Sequence, residues 1–244
     1  LRAAHDACLP VLSNYHTRLG QNADLFNAFQ FIKSDKSFAS LSVAQKKTID
    51  NALRDFRLSG VDLDAEKKQR FSDISSRLSE LSSTFSNNVL DATRAWSKLI
   101  VDDGDLSGLP ETALNLASAQ ASAKQQQGFL LTLDAPCYIA VMTYADSREL
   151  RKEMYEAYVT RASECGPQAG SFDNSSIIEE TLSLRFELAQ LLGFSDYAEY
   201  SLATRMAKSP QQVADFLWSL VEPSKPAALK EMDEVRQFAS AQCG

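Results

Sequence analysis

The stretch FSDISSRLSELSSTFSNNVLDATRAW, residues 71–96, decides the fold of this 244-residue chain. Its large apolar residues recur every three or four positions, and this period aligns them along one side of an α-helix. Polar residues fill most of the other positions, so one side of the helix contacts protein and the other mostly faces water. The apolar stripe consists of Phe71, Ile74, Leu78, Leu81, Phe85, Val89, Ala92 and Trp96.

Helices on both sides of this stretch are needed to cover the stripe. A helix over residues 64–96 would be about 50 Å long at about 1.5 Å per residue, which is far beyond the average helix. Upstream, Asn22 is a predicted N-cap, and Ser42 with Gln45 forms a predicted capping box. Helices are therefore predicted over residues 1–19, 23–33 and 42–59, with a loop at 34–40.

Downstream of Trp96 the same signals predict more helices and one pair of strands. Two short apolar runs, near residues 97–101 and 129–133, follow turn signals and are predicted to pair as strands. Pro223 and Pro226 are expected to bend or interrupt the last helix. The predicted helices cover residues 113–127, 138–144, 146–166 (capped by Asp146 with Glu149), 176–193 (opened by Ser176 with Glu179), a short segment from 196, and 209–242.

These elements give an all-α fold class. No repeat, low-complexity tract or flexible linker separates them, so residues 1–244 are predicted to form a single helical domain. The composition, 44% hydrophobic and 23% charged, is ordinary for a globular protein. A net charge of -7 argues against a nucleic-acid partner. The sequence contains no run of about 18 apolar residues, so no membrane span is predicted.

Four cysteines, Cys8, Cys137, Cys165 and Cys243, show no C-x-x-C spacing, so reduced thiols are expected. Two disulfides or a metal site are the alternatives. Reduced thiols suit a cytoplasmic location. Because the sequence begins at Leu1 and not at Met, we expect a fragment or a processed form, and an organelle is the alternative location.

Catalytic signatures are missing from the sequence. A zinc hydrolase commonly carries H-E-x-x-H on a helix, whereas His5 and His16 stand alone and neither follows a Glu by three positions. Glu179 and Glu180 are expected to offset the dipole of a helix start rather than to act as acid and base. The sequence therefore predicts no catalytic, cofactor-binding or metal residue.

Two arginines, Arg161 and Arg185, lie inside otherwise apolar predicted helices. Their guanidinium groups need carboxylates or backbone carbonyls as partners, which would make them structural clamps. The functional alternative is a positive charge that holds a substrate carboxylate. The sequence leaves both readings open.

Several stretches of the amino-acid sequence are long and specific enough to indicate a protein family. They include NALRDF at 51–56, FSNNVLDAT at 85–93, YVTRAS at 158–163, LAQLLGF at 188–194 and SLAT at 201–204. In these stretches, and over essentially its whole length, the chain closely resembles the N-terminal portion of the thimet oligopeptidase family of zinc metallopeptidases.

The resemblance implies a mostly helical, ellipsoidal enzyme with a deep channel that admits only short peptides. In that family an H-E-x-x-H helix and a further Glu in the C-terminal part hold the zinc. These 244 residues contain no H-E-x-x-H sequence and resemble only the N-terminal portion. The resemblance therefore implies a scaffold that forms one wall of the channel. We expect the chain alone to bind no zinc and to be inactive. The alternative is a freestanding helical interaction module without catalysis.

The missing catalytic half is the expected partner of the last predicted helix. Its apolar residues between 216 and 238 lie nearest to that half and are expected to dock on it or, in the isolated chain, to self-associate. The alternative is that they pack on residues 188–202 within the domain.

Overall fold

A computed structural model describes residues 2–243 of the chain, with the backbone alone for Asp103 and Cys243. It is mainly helical, as predicted. Its α-helices are α1 (Arg2–Gly20), α2 (Ala23–Ser34), α3 (Val43–Leu58), α4 (Ala65–Ala95), α5 (Glu111–Ala123), α6 (Ala135–Tyr144), α7 (Arg148–Val159), α8 (Ser175–Leu191), α9 (Tyr197–Leu202) and α10 (Pro210–Cys243). Its strands are β1 (Ser97–Ile100) and β2 (Phe129–Thr132), and short 3-10 helices cover Lys36–Ser40 and Asp103–Leu106.

The long helix α4 confirms the prediction made from its apolar period. It begins directly after Asp64, whose side chain accepts a hydrogen bond from the Lys67 amide at 2.9 Å. Ile74, Leu81 and Ala92 of the stripe are buried. The side chains of the stripe are not equally buried, however, and Phe85 keeps 39% of its surface exposed.

The predicted strands are also confirmed. β1 and β2 pair in antiparallel orientation, with Ser97 opposite Thr132 and Ile100 opposite Phe129. Gly128 precedes β2 with φ +116°, and a Cβ at this position would come 2.4 Å from the Ile100 carbonyl oxygen. Only glycine combines this backbone conformation with such a close approach, so Gly128 fixes the entry into the pair.

The chain forms two compact units. One comprises Leu1–Leu19 and Ser72–Leu184, and the other comprises Gly20–Phe71 and Arg185–Gly244. The core of the second unit is built from Phe26, Ile49, Leu53 and Val61. The core of the first unit is larger and consists of Trp96, Ile100, Leu106, Leu109, Ala117, Leu131, Leu133, Cys137, Val141, Ala145, Leu150, Met154 and Ala157.

Helix starts agree with the sequence where the capping residue bonds locally. Asn22 accepts from the Leu25 amide at 3.0 Å, and Ser42 and Gln45 form the predicted capping box. The predicted caps of α7 and α8 are wrong. Ser147 caps α7, and α8 begins at Ser175, whose amide donates to Asp173 at 2.8 Å.

Two further expectations about the chain path need correction. The loop predicted at 34–40 contains the 3-10 helix Lys36–Ser40, capped by Asp35. Helix α10 is continuous through Pro223 and Pro226, so the prolines do not interrupt it, and the bend that was the other expectation stays a prediction. Because α10 is exposed there, water can hydrate the carbonyls that the two prolines leave without an N–H donor. Among residues 2–243, no helix has both the length and the apolar character needed to cross a bilayer.

Candidate functional site

Metal-binding side chains are dispersed over the described part of the chain. Among the side chains that the structure describes, no three His, Cys, Asp or Glu are placed to share a metal ion. His5 is exposed beside Asp6, and His16 is exposed with its ring edge-to-face against Tyr15, at 5.6 Å between centroids. A catalytic zinc needs three protein ligands and an open position. These residues do not fit a zinc ion, so we assign them no step of peptide hydrolysis.

A serine, a carboxylate and a histidine meet between α1 and α4. Asp6 Oδ1 accepts a hydrogen bond from Ser83 Oγ at 2.9 Å and lies 3.2 Å from His5 Nδ1. These contacts, Ser83 first, lower the pKa of Asp6 below its ordinary value. In a nucleophilic triad the histidine lies between serine and carboxylate, whereas here the carboxylate lies between the other two. The cluster therefore ties α1 to α4 and does not activate Ser83.

The described thiols, Cys8, Cys137 and Cys165, are free cysteines. The negative charge of Glu164 raises the pKa of the exposed Cys165 thiol, and burial raises the pKa of Cys137. A reactive cysteine needs the opposite shift, because the thiolate is the nucleophile. Neither Cys137 nor Cys165 is therefore activated for nucleophilic attack.

Glu179 and Glu180 do not lie in the first turn of α8, so the prediction that they offset the dipole of the helix start is wrong. Glu180 instead accepts two hydrogen bonds from Arg77 of α4, at 2.6 and 2.8 Å. The pair lowers the pKa of Glu180 below its ordinary value. Further along the same two helices, Arg70 donates to Glu187 in the same bidentate manner, at 2.5 and 2.6 Å. These carboxylates hold α8 against α4.

Acid is expected to weaken this contact. Because the pKa of Glu180 in the folded chain lies below the ordinary value of 4.5, the pair contributes stability above about pH 4.5 and loses it as the pH falls through the folded value. Arg77→Gln should therefore reduce the loss of stability between pH 5 and pH 3, as measured by thermal melts. Arg148→Gln, which removes an exposed arginine of α7, is the matched control. If the stability of the parent and that of Arg77→Gln fell equally as the pH is lowered, the assignment of Arg77 and Glu180 as a stabilising pair would be wrong.

Arg161 is a structural clamp. Its Nε donates to the Tyr158 carbonyl at 2.8 Å and its Nη1 donates to Thr93 Oγ1 at 2.9 Å. The guanidinium also lies over the Tyr158 ring, 3.6 Å from the centroid, and Tyr138 stacks on that ring at 3.8 Å. Arg161 follows the end of α7 and does not lie inside a helix as predicted. It is held by the end of α7, by α4 and by an aromatic pair.

Arg185 has a different environment. It is exposed on α8, and its guanidinium lies 5.0 Å from the centroid of the Tyr197 ring. No carboxylate whose side chain the structure describes forms an ion pair with it. The reading as a clamp between side chains therefore applies to Arg161 and not to Arg185.

Helix α10 carries a long row of exposed apolar side chains. Every side chain from Asp215 to Gln242 is exposed, including Trp218 with 63% of its surface. These residues are therefore not packed on residues 188–202, which was the alternative. Large exposed apolar patches mark interaction sites, because water disfavours them. The apolar side chains are Phe216, Leu217, Trp218, Leu220, Val221, Leu229, Met232, Val235 and Phe238.

Asn174 is an anchor that sequence reasoning missed. Only 2% of its surface is exposed, and its side chain donates to the Phe85 carbonyl at 3.3 Å and accepts from Asn88 Nδ2 at 2.8 Å. It lies directly before α8, where asparagine is a common cap. This position is the one signal that could have drawn attention to it, since its partners lie 86 and 89 positions away in sequence.

Two family models match the chain. The model of peptidase family M3 matches residues 141–244, and that of the neurolysin/thimet oligopeptidase N-terminal domain matches residues 1–68. The M3 match includes α10, and both agree with the resemblance stated above.

Known proteins match the chain from end to end. Oligopeptidase A of Salmonella typhimurium is 55% identical over 244 residues, which are 100% of this chain and 36% of that protein. Oligopeptidase A of Escherichia coli is 54% identical with the same coverage. The organellar oligopeptidase A of Arabidopsis thaliana, named as chloroplastic/mitochondrial, is 39% identical over 99% of this chain and 31% of that protein. The chain spans about a third of the length of these curated relatives.

Proposed function

We propose that the chain belongs to peptidase family M3 and forms the N-terminal part of a zinc-dependent oligopeptidase that hydrolyses short peptides. One observation carries the proposal: identity of 55% extends over all 244 residues, while these residues correspond to 36% of the relative. In this proposal the chain supplies scaffold and channel wall, and the zinc ligands belong to the part of the enzyme outside these 244 residues.

Helix α10 is the proposed contact with that catalytic part. A helix that is apolar over most of its circumference is normally surrounded by protein. Between Phe216 and Val221, apolar residues cover more than half of the circumference, since Phe216, Leu217 and Trp218 are consecutive and point in three directions. The surface therefore suits burial in a larger enzyme. We place that enzyme in the cytoplasm, and an organelle is the alternative.

The gene itself provides the first test. We expect the reading frame downstream of Gly244 to encode an H-E-x-x-H motif. A stop codon directly after Gly244 would support the second candidate, a freestanding interaction module, which the exposed α10 would also suit.

The purified 244-residue chain is expected to contain no stoichiometric zinc and to cleave no short peptide. Hydrolysis would need a polarised water, a metal and a general base, and we assign none of them to this chain. Elemental analysis and a fluorogenic peptide assay measure both properties. Chelator-sensitive hydrolysis by a preparation shown to be free of contaminating peptidase would refute this expectation.

A further inference from the structure

Arg185 has no carboxylate partner among the described side chains, whereas two arginines of α4 are paired with glutamates of α8, the helix that carries Arg185. Arg70 holds Glu187 and Arg77 holds Glu180, each through two hydrogen bonds. These pairs fix the chain's own helices to one another. Among the described side chains, the partner of the Arg185 guanidinium is instead the face of the Tyr197 ring.

The ring contact positions Arg185 without using its hydrogen-bond donors. A guanidinium over an aromatic face is attracted by the π-electrons, while its N–H groups point outward in the plane of the group. Tyr197 is itself supported by Tyr200, at 5.5 Å between centroids, and Tyr200 packs edge-to-face on Phe194 at 5.6 Å. Burial raises the pKa of Tyr200, in agreement with a packed cluster. The Tyr197 ring that supports Arg185 is thus itself packed in an aromatic cluster.

Phe186 provides an exposed apolar surface next to this arginine. A planar guanidinium can hold both oxygens of a carboxylate, and an adjacent apolar group can contact the hydrocarbon part of the same molecule. We propose that Arg185, supported by Tyr197, binds a carboxylate of the peptide substrate. This inference rests on the proposed function, because it requires that the complete enzyme binds peptides.

A peptide can offer such a carboxylate from its C-terminus or from an Asp or Glu side chain. The test therefore uses one fluorogenic peptide sequence in three forms: with a free C-terminus and an internal Glu, with an amidated C-terminus, and with the Glu replaced by Gln. KM and kcat are measured for the complete product of the gene and for its Arg185→Gln variant. Arg148→Gln on α7 is the matched control.

We expect Arg185→Gln to raise KM about tenfold for the peptide whose carboxylate it binds, as loss of a charged hydrogen bond does. The form that lacks this carboxylate should already show the raised KM with the parent enzyme, and the variant should not raise it further. The peptide form whose KM is already raised with the parent enzyme shows whether the bound carboxylate belongs to the C-terminus or to the Glu side chain. Tyr197→Phe should keep the low KM, whereas Tyr197→Leu should raise it, because the ring supports the guanidinium.

Other results overturn the inference. If Arg185→Gln changes KM equally for all three peptides, or lowers the melting temperature without changing the preference among them, Arg185 pairs within the protein. If the parent cleaves the peptides and the variant matches Arg148→Gln, Arg185 does not bind substrate, while the proposed function stands. If the parent cleaves no peptide at all, the proposed function fails and the inference fails with it.

Discussion

Replacing Leu81 with alanine is expected to lower the free energy of unfolding by about 2–5 kcal/mol. Leu81 keeps only 3% of its surface exposed, so its removal leaves a cavity under α4 in addition to the lost burial. Phe85→Ala should cost less, because 39% of Phe85 already faces solvent. Denaturant melts of the 244-residue chain measure both changes.

The opposite face of α4 supplies the control for this prediction. Ser79→Ala should change stability by less than about 0.5 kcal/mol, because Ser79 is only half-buried and the change removes only its hydroxyl. Ser83→Ala is a poorer control, since Ser83 donates to Asp6 and its loss weakens the contact with α1. If Leu81→Ala and Ser79→Ala had equal effects, the orientation that we assign to α4 would be wrong.

The second large effect concerns association of the 244-residue chain through α10. We expect its apparent mass to rise with concentration, because the apolar side chains of one α10 can be removed from water by those of another. Light scattering over a concentration series measures this rise. The emission of Trp218, which is 63% exposed, should shift to the blue at the same time, whereas Trp96 is already buried.

Two paired substitutions test whether α10 is the surface responsible. Trp218→Ser with Leu229→Ser removes two large apolar side chains and should keep the chain monomeric. Glu222→Ser with Glu231→Ser changes two exposed charges of the same helix and should leave association intact. A parent chain that stays monomeric at every concentration would remove the proposal of self-association.

Local patterns predicted most of the fold. The period of α4, the pairing of β1 with β2 and the cap at Asp196 depend on residues close in sequence, so they could be read without tertiary information. The glycine ending of α8 is another such case: Gly193 has φ +81° and the Phe194 amide donates to the Ala189 carbonyl at 2.9 Å. The single domain over residues 1–244 stays a prediction.

Distant partners account for some of the errors. Asp146 was expected to cap α7, but its carboxylate accepts from Ser107, 39 positions earlier in sequence, and Ser147 takes the capping role. Periodicity also gives the orientation of a side chain and not its depth, which is why Phe85 is more exposed than the stripe suggested. The two arginines also could not be distinguished from the sequence, because their different roles depend on the side chains that lie near each of them in the folded chain.

The burial of Asn174 has a consequence for any route by which the chain is produced. Asn174-Ser175-Ser176 has the form of an acceptor for N-linked sugar. In the folded chain the amide is inaccessible, because it is bonded to Phe85 and Asn88. A sugar attached before folding would occupy that amide and could not be accommodated in a site this closed. Attachment of a sugar to Asn174 before folding would therefore be incompatible with this fold.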